Sequence, residues 1–368
     1  MDNQFNETEL FKGGRTLSIM PTYACNANCK NCGTVSSPND RNNLPLETII
    51  SSIEQAKHLG FMNVVFTGGE ATLRWKDLVQ AIQFAHNLDM PTRLVTNAHW
   101  ANNEEEANLH IKELHNAGLN EINYSTGDEH VKYVPLNSVV NGIIAAIDHS
   151  LSLAVMIELT ASRVLNRTSL TEHSKIKMLN ETDKQKIRIL ESPWMPLNPL
   201  EIGTYPEGIT INRNNISSVS GCDSVLQTYV VQADGRIGAC CGLGMRITPE
   251  LNVGFSTGTD FLTRAIKESE SDFLKLLLHY KGPERILEWA ASKNPEIKWE
   301  NLYAHKCQAC LRVYKDSKVA DVLRHHHKEL FAEVLQSVWL EEEYYRSLIE
   351  ENFSPDPSVN SLTSLSFS

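Results

Sequence analysis

Three cysteines crowd into one short stretch, Cys25-Asn-Ala-Asn-Cys29-Lys-Asn-Cys32, just after an apolar run, Leu17-Ser-Ile-Met20, that reads as a strand. No other feature limits this chain so tightly. A C-x3-C-x2-C loop supplies three thiolates and no fourth at a finger-like distance, whereas a structural zinc site closes on four ligands. A [4Fe-4S] cluster can take three cysteines and leave one iron open to a small chelating molecule. The plain alternative is three reduced core cysteines that merely fall at this spacing. Later stretches argue against it.

From Thr16 onward, short β-branched runs alternate with amphipathic stretches, the pattern of βα units and a parallel sheet. Leu46, Ile49, Ile50, Ile53 and Ala56 recur at helical spacing, and Asn63-Val-Val-Phe-Thr67 reads as the second strand. It runs into Gly68-Gly69-Glu70, where two residues without side chains let the backbone approach a bound molecule and a carboxylate can hold an ammonium. The third strand, Thr92-Arg-Leu-Val-Thr96, ends at Asn97. The fourth, Asn120-Glu-Ile-Asn-Tyr-Ser125, ends at a serine that either meets a ligand or caps the following turn. Residues 151–160 read as a fifth strand with Glu158 near its carboxyl end. After a short helix around 170–179, Lys186-Ile-Arg-Ile-Leu190 reads as the sixth. Arg188 and Glu191 lie on or just past it, as substrate contacts or as partners in an ordinary ion pair.

With the cysteine loop, the Gly-Gly-Glu strand end and Asn97 in this order, the chain resembles radical S-adenosylmethionine (SAM) enzymes. The resemblance implies a partial (β/α)6 TIM-like barrel with ligand groups at the carboxyl ends of its strands. It implies a [4Fe-4S] cluster on Cys25, Cys29 and Cys32, whose open iron binds the amino and carboxylate groups of SAM. Reductive cleavage then yields methionine and a 5′-deoxyadenosyl radical, chemistry that belongs to the cofactor and is positioned by protein. Gly68, Gly69 and Glu70 match the motif that receives the methionyl amino group. Asn97, Ser125 and Glu158 join them as cofactor-binding residues, and Lys132 stands in for an arginine that grips the SAM carboxylate in many relatives. Two positions depart from the pattern: Asn31 replaces the aromatic residue before the third cysteine, and Ala98 replaces the glycine after Asn97.

A second cysteine set follows. Cys222 and Cys240 flank a hairpin that turns at Asp234-Gly235, and Cys307-Gln-Ala-Cys310 comes much later. Two pairs make a complete four-thiolate set for zinc or for iron and sulfur. The spacing C-x12-G-x4-C resembles the opening of the SPASM domain. With too few cysteines for the full domain, the chain resembles its shorter "twitch" form, which implies one auxiliary [4Fe-4S] cluster. Cys241 is left over, either a small buried apolar residue or a hydrogen-atom or proton donor beside substrate. One amphipathic helix is predicted after residue 316. It carries His325, His326 and His327, which point in three directions and cannot face one metal together.

Net charge of −11 over 368 residues, with no Lys/Arg-rich run, argues against a nucleic-acid groove. No apolar run approaches a membrane span, and the acidic start has no signal core. A cytoplasmic setting is expected, where eight cysteines stay reduced. The expected organisation is a tail at 1–15, the radical SAM core at 16–200, a small α+β twitch/SPASM-like domain at 201–315, a helix at 316–354 and a disordered tail at 355–368. The expected activity is a two-electron oxidation, as a crosslink in a ribosomally made precursor peptide, with the auxiliary cluster accepting an electron. A small-molecule dehydrogenase or epimerase is the alternative, and a non-enzymatic iron-sulfur or zinc scaffold is the other class. Expected partners are a flavodoxin- or ferredoxin-type electron donor and a precursor peptide. A separate leader-binding protein is a further expected partner, because little chain precedes Thr16.

Overall fold

Six short runs of β-branched and apolar residues pair side by side, in chain order and in parallel. The computed structural model describes residues 14–198, 201–242 and 245–353. The strands are β1 (Thr16–Ile19), β2 (Asn63–Phe66), β3 (Thr92–Thr96), β4 (Glu121–Thr126), β5 (Ser152–Leu159) and β6 (Ile187–Pro193). Their registers set Leu17 opposite Val64, Val65 opposite Arg93, Leu94 opposite Ile122, and Ile122 opposite Leu153. Each of the first four strands is followed by one amphipathic helix: α1 (Leu46–His58), α2 (Trp75–Asn87), α3 (Glu104–Asn116) and α4 (Leu136–Asp148). These helices bury one stripe against the sheet, such as Ile49, Ile53 and Ala56 on α1 and Leu78, Ile82 and Ala85 on α2. The result is an α/β fold, a partial (β/α)6 barrel, whose strand ends face one side.

The helix predicted around 170–179 is three short ones: α5 (Arg167–Thr171), α6 (Ser174–Lys177) and α7 (Glu181–Gln185). Side chains of Asn166, His173 and Asn180 accept backbone N–H groups at the three starts, so each cap restarts the helix instead of extending it.

Beyond residue 200 the sheet continues. Strand β7 (Thr228–Val231) pairs in parallel with β1, Leu17 opposite Tyr229, and then β8 (Arg236–Gly238) and β9 (Asn252–Phe255) add antiparallel. The nine strands run in the order β6-β5-β4-β3-β2-β1-β7-β8-β9. The hairpin turns at Gly235, with φ of 83°, as predicted. Covering β1 removes an open edge from the barrel, so the second module grows out of the first sheet.

Helix α8 (Phe261–Glu270) packs on the barrel core through Phe261, Leu262 and Ala265. Arg15, expected in the tail, is buried and pairs with Glu270 of this helix at 2.7 Å. Residues 1–13 and 354–368, and with them the expected disordered tail at 355–368, lie outside the described residues. A second core gathers α9 (Phe273–Tyr280), α10 (Pro283–Lys293), α11 (Lys306–Lys315), α12 (Ser317–His326) and α13 (Phe331–Phe353) around Leu277, Leu278, Ile286 and Val319. The single helix predicted after 316 is broken: a 3-10 turn at His327–Leu330 separates α12 from α13. There the rings of His327 and Phe331 pack on Phe273, whose centroid is 4.5 Å from that of Phe331. The three histidines fan out, His325 to its own helix, His326 to Glu329 and His327 to Leu323 O. No helix among the described residues is long and apolar enough to cross a membrane.

Candidate active site

Two cavities open at the carboxyl ends of the strands. The first holds about 290 Å³ and is lined by Cys25, Cys29 and Cys32 together with the 68–70 strand end and Asn97. The second holds about 340 Å³ between β5, β6 and the second module, with Glu158, Met156, Met195 and Cys307 in its walls. Ser125, His130, Trp194 and Cys241 line both.

The cysteine loop is pinned from every side. Cys25 N donates to Ser37 O at 3.2 Å, Tyr133 Oη to Asn28 O at 2.7 Å and Trp194 Nε1 to Lys30 O at 3.0 Å. Asn97 Nδ2 donates to Asn26 Oδ1 at 2.8 Å and reaches Cys25 Sγ at 3.8 Å. Asn31 adopts φ of 60°, the left-handed conformation that asparagine tolerates best among ordinary side chains. Burial pushes the Cys25 and Cys29 thiols up to about 12, so binding a metal through these two must displace their protons. Three thiols lining one cavity fit a cluster with an open position.

Gly69 has a further reason beside the one the sequence suggests. A Cβ there would sit 2.0 Å from Ala24 O, so the glycine admits the backbone of the cysteine loop itself. Glu70 is 1% exposed and its carboxylate is fully engaged. Oε1 accepts from Thr72 Oγ1 at 2.6 Å and Thr96 Oγ1 at 2.8 Å, and Oε2 accepts from Asn97 N at 2.8 Å. It braces the ends of β2 and β3. Glu70→Gln would turn an amide NH2 toward one of these donors and lose charge-assisted bonds, at a cost of about 2 kcal/mol. We expect the thermal midpoint of the metal-free protein to fall by a few degrees. An unchanged melt would show that this brace does not hold the strand ends.

Glu158 carries a second buried carboxylate. It accepts from Glu129 N at 2.8 Å, His130 N at 3.1 Å and His130 Nδ1 at 2.5 Å. That grip places an Nδ1–H toward Glu158 and leaves Nε2 of His130 as an acceptor in the shared wall. Trp194 packs edge-on against the same ring. Sequence reasoning missed both residues. The turn at 127–132 and the proline-flanked Trp194 were the available signals.

Three predicted site residues stand away from the cavities. Lys132 is exposed and donates to Glu129 at 2.6 Å. Arg188 is exposed and pairs with Glu121 at 2.7 Å, and Glu191 pairs with Arg163 at 3.1 Å. The first is a local pair three residues apart, and the other two join neighbouring segments.

The second cysteine set converges behind the second cavity. Cys307 and Cys310 sit one turn apart on α11, so both project from one face. Burial, and then the neighbouring thiols, push Cys240 and Cys310 well above the ordinary cysteine range; for Cys240 those neighbours include Cys222 and Cys307. Gly242 leaves the space between them free: a Cβ there would lie 2.9 Å from Cys240 Sγ and 3.2 Å from Cys307 Sγ. Cys240 and Cys307 thus face a gap that glycine leaves open, with Cys222 and Cys310 close enough to act on them electrostatically; among the described residues no three such side chains already stand at metal-binding distance, so a four-thiolate centre would draw these thiols together. Cys241, by contrast, is exposed, its Sγ 3.4 Å from Ser224 Oγ.

Residues 19–126 match the Radical SAM superfamily. Over 157 residues the chain is 25% identical to YydG of Bacillus subtilis (strain 168), a protein named for peptide biosynthesis. That alignment covers 41% of this chain and 49% of YydG, so the chain spans about half the length of the curated relative it matches. The fold superposes on native anSMEcpe with bound AdoMet and Cp18Cys peptide at a TM-score of 0.50 and 15% identity, covering 88% of this chain and 98% of that one. SuiB of Streptococcus suis bound to S-adenosylmethionine gives a TM-score of 0.42 at 15% identity, over 86% of this chain and 79% of SuiB. At these identities the structural likeness is one of fold. The stretch that is similar to the Radical SAM superfamily thus runs from the end of β1 through β4, with the three-cysteine loop and the Gly-Gly-Glu strand end inside it.

Proposed function

We propose that the protein is a radical SAM enzyme acting on a peptide, and that Cys241 returns a hydrogen atom to the substrate carbon from which one was taken. Cys25, Cys29 and Cys32 hold the SAM-binding cluster. The 68–70 strand end, Asn97 and Ser125 line the cofactor's place, and Cys222, Cys240, Cys307 and Cys310 hold an auxiliary cluster. When bound, SAM and its cluster supply a hydrogen-abstracting radical after one-electron reduction. The observation that carries this reading is the exposed Cys241 in the wall common to both cavities.

At that carbon the Cys241 S–H bond breaks and a C–H bond forms, which leaves a thiyl radical on Cys241. One electron from a flavodoxin- or ferredoxin-type donor and one proton from solvent restore the thiol. The net change is inversion at the carbon, with no change in substrate mass. His130 Nε2 and Trp194 orient the bound molecule between the cavities. YydG is named for peptide biosynthesis and the anSMEcpe structure holds a Cp18Cys peptide, which supports a peptide here, with a leader-binding protein as a further partner. The predicted oxidation to a crosslink remains the second reading, favoured by Cys307 in the wall of the second cavity.

The test is turnover in deuterated water, where the Cys241 thiol carries deuterium. The expected product is one mass unit heavier, and Cys241→Ala should give no deuterated product while still cleaving SAM. A product two mass units lighter, without deuterium, would overturn hydrogen return in favour of oxidation.

A further inference from the structure

We propose that Arg246 is a positioning residue that couples the two cysteine sets, tying the module that holds Cys240 to the loop around Cys32. This rests on the assignment of both sets to clusters only for the coupling; the clamp itself stands on contacts. Arg246 follows Cys240 and Cys241 closely in the chain and reaches across to the other module. Its Nη1 donates to Val35 O at 2.7 Å and Thr34 O at 3.1 Å, and its Nη2 pairs with Asp40 at 3.0 Å. The guanidinium lies over the Tyr23 ring, 3.5 Å from the centroid, and Tyr23 is wholly buried with its hydroxyl donating to Gln232.

The residues it holds need holding. Val35 has φ of 53°, a left-handed conformation that a β-branched side chain resists, and the turn it closes begins at Cys32 O. Thr34 connects that turn onward: its Oγ1 donates to Gly68 O at 3.0 Å and lies 3.4 Å from Cys32 Sγ. One guanidinium fork therefore fixes the backbone immediately after the third cysteine, against the strand end that faces the first cavity. A planar fork with several fixed donors can do this, and an ammonium cannot.

Hydrogen exchange on the full chain tests the clamp without any cluster. In metal-free protein, Arg246→Ala should speed exchange of the Val35 and Asp40 amides by about tenfold or more, through easier local opening. Amides of β3 and β4 should be unchanged, and Arg246→Lys should fall between. If Arg246→Ala does not fold, Asp40→Asn removes one arm and should speed the same amides. Unchanged exchange at 33–40 in the folded variant overturns the clamp, and so does a uniform increase over the whole chain.

The coupling is read in Cys25→Ala/Cys29→Ala/Cys32→Ala protein reconstituted with iron and sulfide. Filling the second set should slow exchange at 33–40 when Arg246 is present and not when it is replaced by alanine. Equal protection in both overturns the coupling. Failure of the second set to take up iron instead counts against the cluster assignment, with the metal-free result still judging Arg246.

Discussion

Replacing Cys25, Cys29 and Cys32 together by alanine should abolish formation of 5′-deoxyadenosine from SAM and dithionite, and lower iron to roughly four per reconstituted chain. The effect is expected to be complete because the three thiols line the first cavity together, and the other cysteine that reaches it, Cys241, belongs to the opposite module. The fold should survive. The loop is held by groups other than its thiols, including Tyr133 Oη on Asn28 O and Trp194 Nε1 on Lys30 O. The thermal melt of the metal-free variant should therefore stay close to that of the parent, which separates loss of chemistry from loss of structure. Iron content that does not change would sink the assignment of this loop as a cluster site.

The second large effect concerns Cys307 and Cys310. Their replacement by alanine should leave SAM cleavage running while product formation stops at or before a single turnover. Under the proposed reading the second set acts after hydrogen abstraction, when Cys241 must be returned to its thiol. The order of events places SAM cleavage upstream, so its rate is the internal control. Both thiols project from the first turns of α11, whose start is capped by His305 Nδ1 accepting from Cys307 N at 3.2 Å. That cap is independent of the thiols and favours retention of the helix. A four-thiolate centre also ties residues 222 and 310 together across a long loop, so some loss of stability accompanies the change. Normal multiple turnover in the double variant would make the second set purely structural, and zinc would then become the better occupant.

What the sequence by itself determined is local. The C-x3-C-x2-C loop, the Gly-Gly-Glu strand end, six alternating βα runs and the Asp234-Gly235 turn are each written within a few tens of residues. Short-range spacing and periodicity carry that kind of information. β3 appears at its predicted bounds, and β2 within one residue of them, because five-residue apolar alternation admits little else. Tertiary structure decided the partners. Glu70 reads in the sequence as a group for an ammonium, and its second role as a brace came with Thr96 and Asn97 from the next strand. Glu158 was drawn to His130, and Arg188 and Glu191 to a carboxylate and a guanidinium of adjacent segments, while Lys132 pairs locally with Glu129. Nothing near Arg246 in the chain points to Thr34 and Val35, some two hundred residues earlier. A charged side chain satisfies itself with whichever opposite group or backbone carbonyl the packed fold brings within reach, and for Arg246 that reach follows the addition of β7 to β1. The exposure of Cys241 between buried Cys240 and Gly242 was settled in the same way, by which side of a short segment faces the cavities.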